Sequence, residues 1–229
     1  MNRLLLFAKE PQQAKQRLRA SLPSGMVTKL ASAFLRDTLQ TVSLLEDVTI
    51  QLAYTPRSSE PKFSGFMDEF GLNEPHGLTR QRGRALGARL EAAIGDAFES
   101  GSERVVAIGM DSPSMPLDSI RSGFVHLRDH DCVLGPTLDG GYYLIGLSRP
   151  CPALFRGIEW STGSVYRQTV EIVHREKLSY RELPVWYDID TAEDIEFLVR
   201  DINQFRLAGD EERAQYTESV LANILQVDS

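Results

Sequence analysis

The chain has 229 residues, 42% hydrophobic and 25% charged, a balance that suits a folded core and excludes the disordered and fibrous classes. Its formal net charge of −7 sets the surface as a whole against nucleic acid and anionic lipid, so neither is an expected partner. No apolar run approaches the roughly 18 residues needed to span a bilayer. The run Leu4–Ala8 stops at Lys9-Glu10-Pro11, too short for a signal-peptide core. Cys132 and Cys151 have neither metal-ligand nor redox-pair spacing, and a reducing, cytoplasmic compartment is the expectation.

In chain order, Arg3–Ala8 reads as a buried strand and residues 9–25 as a polar loop marked by Pro11, Pro23 and Gly25. Val27, Leu30, Ala31, Phe34, Leu35, Leu39 and Val42 recur at helical spacing and predict an amphipathic helix over Met26–Leu45. Val48–Tyr54 alternates as a strand up to Thr55-Pro56. Residues 57–79 are weakly patterned, with Phe63, Phe66, Met67 and Phe70 enough for a helical turn or two. A helix follows over 82–98, a strand over Val105–Ile108 and a helix over Leu117–Arg128. Strands are predicted over Cys132–Gly135 and Tyr142–Leu147, a helix over 162–176, an extended stretch over Leu178–Leu183 and a helix over Ala192–Leu207. A last helix, about 211–226, carries Val220, Leu221, Ile224 and Leu225, a face suited to the body of the chain or to a homodimer partner. Strands alternating with helices predict an α/β/α sandwich with a mainly parallel sheet. One domain over 1–229, with a helical extension at about 209–227, accounts for the whole pattern.

The chemistry concentrates at two strand ends. The run Val105–Ile108 ends at Gly109 and delivers Asp111 into a Ser-Pro turn. In an open α/β sheet, ligands bind beyond the carboxyl ends of the strands. A carboxylate there suits a divalent cation, Mg²⁺ or Mn²⁺, set against a phosphate-bearing substrate. The competing role is a turn that caps the next helix. The second strand end is Asp139-Gly140-Gly141 before Tyr142 and Tyr143. The glycines suit a tight turn, or a backbone that lets a sugar approach while Asp139 acts as general base. Tyr142 and Tyr143 would point to opposite faces of a strand, so at most one meets a ligand. Trp160 suits either stacking on a sugar or anchoring a loop. Two basic clusters stand out in an acidic chain: Lys9, Lys15, Arg17 and Arg19, then Arg80, Arg82, Arg84 and Arg89. Together they point to a small anionic ligand. His76, His126, His130 and His174 show no zinc spacing.

The blocks FAKEP at 7–11, KQRL at 15–18, QRGRALGARL at 81–90, GMDSPSMP at 109–116, DCVLGPTLDGGYYLIGL at 131–147, WST at 160–162 and DIDTAEDI at 188–195 occur in that order. Together they resemble the bacterial DUF2064 family, also called the radical-SAM/selenodomain-associated transferases. The resemblance spans roughly residues 3–200. It implies a Rossmann-like GT-A, or nucleotide-diphospho-sugar transferase, fold that takes a nucleotide-sugar or NTP and a small-molecule acceptor. It also implies that Asp111 is the metal-binding aspartate and Asp190 the second acidic position on the same metal. For Asp190 the alternative is capping the helix that begins near Ala192. Asp188, two residues away, is an alternative ligand expected on the opposite side. Lys9, Lys15 and Arg17 would neutralise the phosphates, and Gln81, Gly83 and Gly87 resemble a segment that lies against the nucleobase. Asp139 would be the catalytic base, with Gly140, Gly141, Tyr142 and Trp160 against the substrate. The family usually reads Pro-x-Pro-Gly-x-x-Lys-Thr-Arg-Leu after the first strand. Here the loop is Pro11-Gln12-Gln13-Ala14-Lys15-Gln16-Arg17-Leu18, two residues shorter and without glycine. Such a loop grips a triphosphate less readily. That departure favours a glycosyltransferase over a nucleotidyltransferase, and leaves a non-catalytic nucleotide-binding relative as a third reading.

Overall fold

The computed structural model describes residues 1–72 and 77–225, apart from the side chains of Ile224 and Leu225. The expectation for His76 therefore lies outside the described residues. Among the described residues seven strands form one sheet: β1 (Asn2–Lys9), β2 (Val48–Thr55), β3 (Leu78–Arg80), β4 (Arg104–Gly109), β5 (Cys132–Pro136), β6 (Tyr142–Leu147) and β7 (Tyr180–Glu182). Their order is β3-β2-β1-β4-β6-β5-β7, and β6 alone runs against the others. The helices are α1 (Ser24–Ser43), α2 (Glu60–Glu69), α3 (Leu86–Glu99), α4 (Leu117–His126), α5 (Val165–Arg175), α6 (Ala192–Leu207) and α7 (Gln215–Leu225).

Alternation along the strands divides the core. Leu4, Leu6 and Ala8 of β1 turn to a layer containing Leu35 and Leu39 of α1, Phe63 and Met67 of α2, and Ile120 and Phe124 of α4. Leu5 faces the opposite layer with Leu90 and Ile94 of α3 and Ile172 and Val173 of α5. Both sheet faces are thus covered, which is why β1 and β4 read as unbroken apolar runs. Tyr142 and Tyr143 obey the same rule: Tyr142 packs on the α3–α5 side, while Tyr143 joins the other layer.

The edge strand β3 was not legible in the pattern, since it has three residues and no alternation to betray it. α2 takes Glu60–Glu69 of the weakly patterned stretch, where Phe63, Phe66 and Met67 give the turns of helix expected there. Helix α3 begins at Leu86 rather than 82, because the intervening glycine-containing turn takes φ +125° at Gly83. α7 lies against α1, with Ala214 and Leu221 in a third cluster beside Leu30, Phe34 and the α6 residues Leu198 and Ile202. Its N-terminus is held by Asp37 of α1, whose carboxylate accepts from the backbone N–H groups of Tyr216 and Thr217 at 2.9 Å each. No helix among the described residues is long and apolar enough to cross a membrane.

Candidate active site

The connections leave β1 toward β2 on one side while β4 joins β1 on the other, so the winding reverses between β1 and β4. A crevice opens beyond the carboxyl ends of such a strand pair. Three segments meet there: the loop after β1 with Lys15 and Arg17, the turn after β4 with Asp111 and Ser112, and the extended stretch before α6 with Asp188 and Asp190.

Lys15 is the centre of the cluster. Its Nζ lies 2.6 Å from Asp111 Oδ1 and 3.1 Å from Asp190 Oδ1. The lysine side chain is 1% exposed, whereas the two carboxylates are 47% and 38% exposed. Burial alone would pull the ammonium's pKa down; the charges of Asp111 and Asp190 outweigh it and hold the pKa above the usual lysine value. Arg17 reaches Asp190 Oδ2 at 3.5 Å from an exposed position. Lys9, the last residue of β1, is exposed and enters none of the ion pairs among the described residues.

Backbone contacts set the register of the acidic stretch. Ile189 is buried and donates its N–H to the Asp111 carbonyl at 2.9 Å, which brings Asp188 and Asp190 in on either side. Both reach the same centre, against the expectation that they diverge, because residues two apart on an extended chain share a side. Asp188 accepts a 2.5 Å hydrogen bond from Ser112 Oγ, and Asp190 takes Lys15. Burial pushes the Asp188 carboxyl up to about 6; the Ser112 bond opposes this and the neighbouring Asp111 charge adds to it. Capping α6 falls to Thr191, which forms a reciprocal box with Asp194. The Asp190 carboxylate is therefore left to face the crevice.

Asp139 stands at the same end of the sheet, because β6 is antiparallel and starts where β4 finishes. It is exposed, and its Oδ1 accepts from Thr137 Oγ1 at 2.5 Å and from the Gly141 N–H at 3.1 Å. Its charge is one of those that raise the Asp188 pKa. Gly140 takes φ +86°, and a side chain there would collide with the Gly163 carbonyl. Gly141 is less confined, with the Thr137 and Asp139 side chains at 3.0 and 3.2 Å from where a Cβ would sit. Gly87, Tyr142 and Trp160 come together on the α3–α5 side. A Cβ on Gly87 would strike the Trp160 indole, the two rings meet edge to face at 6.3 Å, and the Tyr142 hydroxyl is buried without a partner among the described residues.

Gln81 spends its amide on the fold. Its Nε2 donates to the Ala8 and Ala53 carbonyls at 3.0 and 2.8 Å, tying the ends of β1 and β2, and its Oε1 accepts from Arg89. Gly83 is confined by Ala88. Beside them Arg57, Arg80, Arg82, Arg89, Gln81 and Thr55 line a pocket of about 370 Å³. Arg82 is bound to Asp96 at 2.6 Å, while Arg89 is aimed by the Gly83 carbonyl at 3.1 Å and has no carboxylate partner among the described residues. A larger hollow of about 750 Å³ runs along α2 past Arg57 and Glu60, away from Lys15 and Asp111. Sequence reasoning missed Ser112 and Arg57. Ser112 had a signal, its place beside Asp111, whereas Arg57 sits in an unpatterned stretch. His126 and His130 pack edge to face with each other, and His174 packs against Tyr180.

A solved protein of Desulfovibrio desulfuricans G20, assigned by inference as a nucleotide-diphospho-sugar transferase, is 31% identical to this chain. The match covers 97% of this chain and 95% of that one, with a TM-score of 0.84. A cytidylyltransferase from Leptospira borgpetersenii serovar Hardjo-bovis is 18% identical over 97% and 95% of the two chains, with a TM-score of 0.54. The Mycobacterium tuberculosis H37Rv protein Rv0371c, solved as a complex with manganese, is 17% identical over 87% and 99%, with a TM-score of 0.52. The last two likenesses concern the fold, the Rossmann-like α/β arrangement of the nucleotide-diphospho-sugar transferases. No curated protein matches the chain. Residues 38–162 match the family described as "Uncharacterized protein conserved in bacteria (DUF2064)". With that match and the near full-length relative, the chain belongs to the DUF2064 family.

Proposed function

We propose that this chain is a metal-dependent glycosyltransferase that moves a sugar from a nucleotide-diphospho-sugar to a small-molecule acceptor. The observation that carries the reading is the pairing of Asp111 and Asp190 about the Lys15 ammonium at the reversal of the sheet. Three carboxylates, those of Asp111, Asp188 and Asp190, gather around Lys15, with Arg17 on Asp190 and the charge of Asp139 felt at Asp188. Such a centre repels a diphosphate unless more positive charge arrives with it. Two hard-oxygen donors open to solvent and already disposed around a cation suit Mg²⁺ or Mn²⁺, which take one or two carboxylates and complete their shells with water and phosphate. Among the described residues no group of three or more His, Cys, Asp or Glu side chains could hold a metal. A site completed by the substrate's own phosphates fits that arrangement.

In this reading Asp111 and Asp190 hold the divalent ion, which supplies the charge that neutralises the departing nucleoside diphosphate. Lys15 and Arg17 turn to the phosphate oxygens. Arg89 and its neighbours give the pocket beyond β2 and β3 a cationic lining for the nucleotide end of the donor, alongside Gln81 and Gly83. Asp139, exposed and oriented by Thr137 and the Gly141 N–H, takes the acceptor's proton. The Gly140-Gly141 turn holds Asp139 in place, through the Gly141 N–H and the close approach of Gly140 to Gly163.

The loop after β1 favours a diphosphate over a triphosphate. Gln13 and Ala14 donate their N–H groups back to Glu10, and Arg19 fills the loop's carbonyls at Pro11, Gln12 and Ala14, so this backbone is bonded to itself. Incubation with Mn²⁺ and a panel of nucleotide sugars and NTPs tests the reading. Release of a nucleoside diphosphate from a nucleotide sugar is expected, with water taking the sugar where no acceptor is supplied. Release of pyrophosphate from an NTP would make the chain a nucleotidyltransferase, and binding without turnover a nucleotide-binding protein.

A further inference from the structure

Lys15 is held in a way that simple phosphate recognition does not require. A lysine waiting for a phosphate gains from a solvated, mobile head, but this ammonium is sealed beneath two carboxylates that are themselves open to solvent. It stands 5.7 Å from the centroid of the Phe34 ring, which closes it from below. Its backbone takes φ +54°, left-handed and unfavourable for a residue with a Cβ, at a loop position with no glycine to relieve it. The chain therefore accepts local strain to put a positive charge between Asp111 and Asp190.

We propose that Lys15 is a built-in counter-cation. In the free protein its ammonium takes the place of the divalent ion, so the metal enters only together with an anionic ligand that draws the ammonium away. This rests on the metal reading of the preceding section and adds an order to it. Three features support it. The Oδ1 atoms of both carboxylates are already occupied by Nζ, at 2.6 and 3.1 Å. A dication within a few ångströms of a buried ammonium meets strong repulsion. A four-carbon stem with a three-donor head can swing to a phosphate once one is present. Linkage then requires metal and diphosphate to tighten one another by the same factor. A free carboxylate pair would take up metal alone; this one is shielded until substrate comes.

The test is Mn²⁺ binding to the full chain without nucleotide, followed by calorimetry and by the paramagnetic signal of unbound Mn²⁺. Lys15→Met removes the charge and keeps the stem, and is expected to bind Mn²⁺ at least tenfold more tightly than wild type. Lys15→Arg keeps the charge and is expected to bind as weakly as wild type. Adding Asp111→Asn to Lys15→Met should erase the gain. If Lys15→Met binds no more tightly than wild type, the counter-cation role is overturned. When Asp111→Asn still weakens wild-type binding in that case, the metal assignment survives; when it has no effect, both fall. A gain that persists in the double variant places the ion elsewhere and also overturns the proposal. Should Lys15→Met fail to fold, wild-type crystals soaked in Mn²⁺ alone decide. Lys15 in place with no anomalous peak between Asp111 and Asp190 is expected, and a full peak there overturns the proposal.

Discussion

At the scale of single residues, the site divides into groups that face the crevice and groups that hold the frame. Asp111 faces the crevice and has an exposed carboxylate whose partner, Lys15, also has Asp190. Asp111→Asn is therefore expected to lower stability by only about 1 kcal/mol, since the amide oxygen still accepts from Lys15. It should abolish Mn²⁺-supported nucleotide binding, as read by thermal melting beside calorimetry. Asp111 was legible because an apolar strand announces where its carboxyl end lies. The partnership of Lys15 with Asp190 was not, because it joins side chains 175 residues apart and no local spacing encodes that. Gln81, Gly83 and Gly87 are fixed by the frame, among carbonyls, Ala88 and Trp160, while Gln81 and Gly83 also line the arginine-rich pocket. A small or amide side chain can serve both purposes, and residue type alone does not separate them.

Among elements, the strands and helices with strong periodicity appear close to where the sequence puts them, since one buried face dictates the pattern. β3 and β7, three residues each, rest on the sheet beside them rather than on a pattern of their own. β7 is held by Asp131 at the start of β5. The carboxylate accepts from Arg149 Nε at 2.6 Å and from the N–H and Oγ of Ser179 at 2.9 Å each. The Arg149 bond chiefly, with the Ser179 bonds, holds its pKa down to about 2 from an ordinary 3.8. A carboxyl whose pKa is depressed by folding contributes stability that is complete above its unfolded value and drains away as pH falls. Asp131 should supply about 1–2 kcal/mol above pH 4, after allowance for solvent screening, and lose it progressively toward about pH 2. Asp131→Asn is expected to lower the melting temperature at pH 7 and to flatten its dependence on pH across that acid window.

For the whole molecule, the C-terminal helices bear on the site without entering it. Arg213 donates to the Ser114 carbonyl through Nε at 2.8 Å and Nη2 at 2.5 Å, and lies over the Phe205 ring at 4.0 Å. Tyr187 bonds Ser114 Oγ at 3.2 Å and donates to Asp201 of α6. The turn that presents Asp111 is thereby clamped from the far end of the chain. Arg213→Ala is expected to cost about 2–3 kcal/mol, from a lost charged hydrogen bond and a lost cation–π contact. The melting temperature would fall by several degrees, and nucleotide binding would weaken through the loosened turn. The amphipathic face of α7 was legible in sequence. Its use against α1 and α6 was a matter of tertiary placement, which periodicity alone does not contain.

Everything functional turns on whether the Asp111–Asp190 pair receives a cation when a nucleoside diphosphate binds. The most direct measurement is an anomalous difference map from crystals soaked with Mn²⁺ and uridine or guanosine diphosphate together. The expected map has one strong peak bridging these carboxylates and the diphosphate, with Lys15 Nζ moved onto a phosphate oxygen. A nucleotide bound with manganese elsewhere, and Lys15 still seated between Asp111 and Asp190, would contradict it.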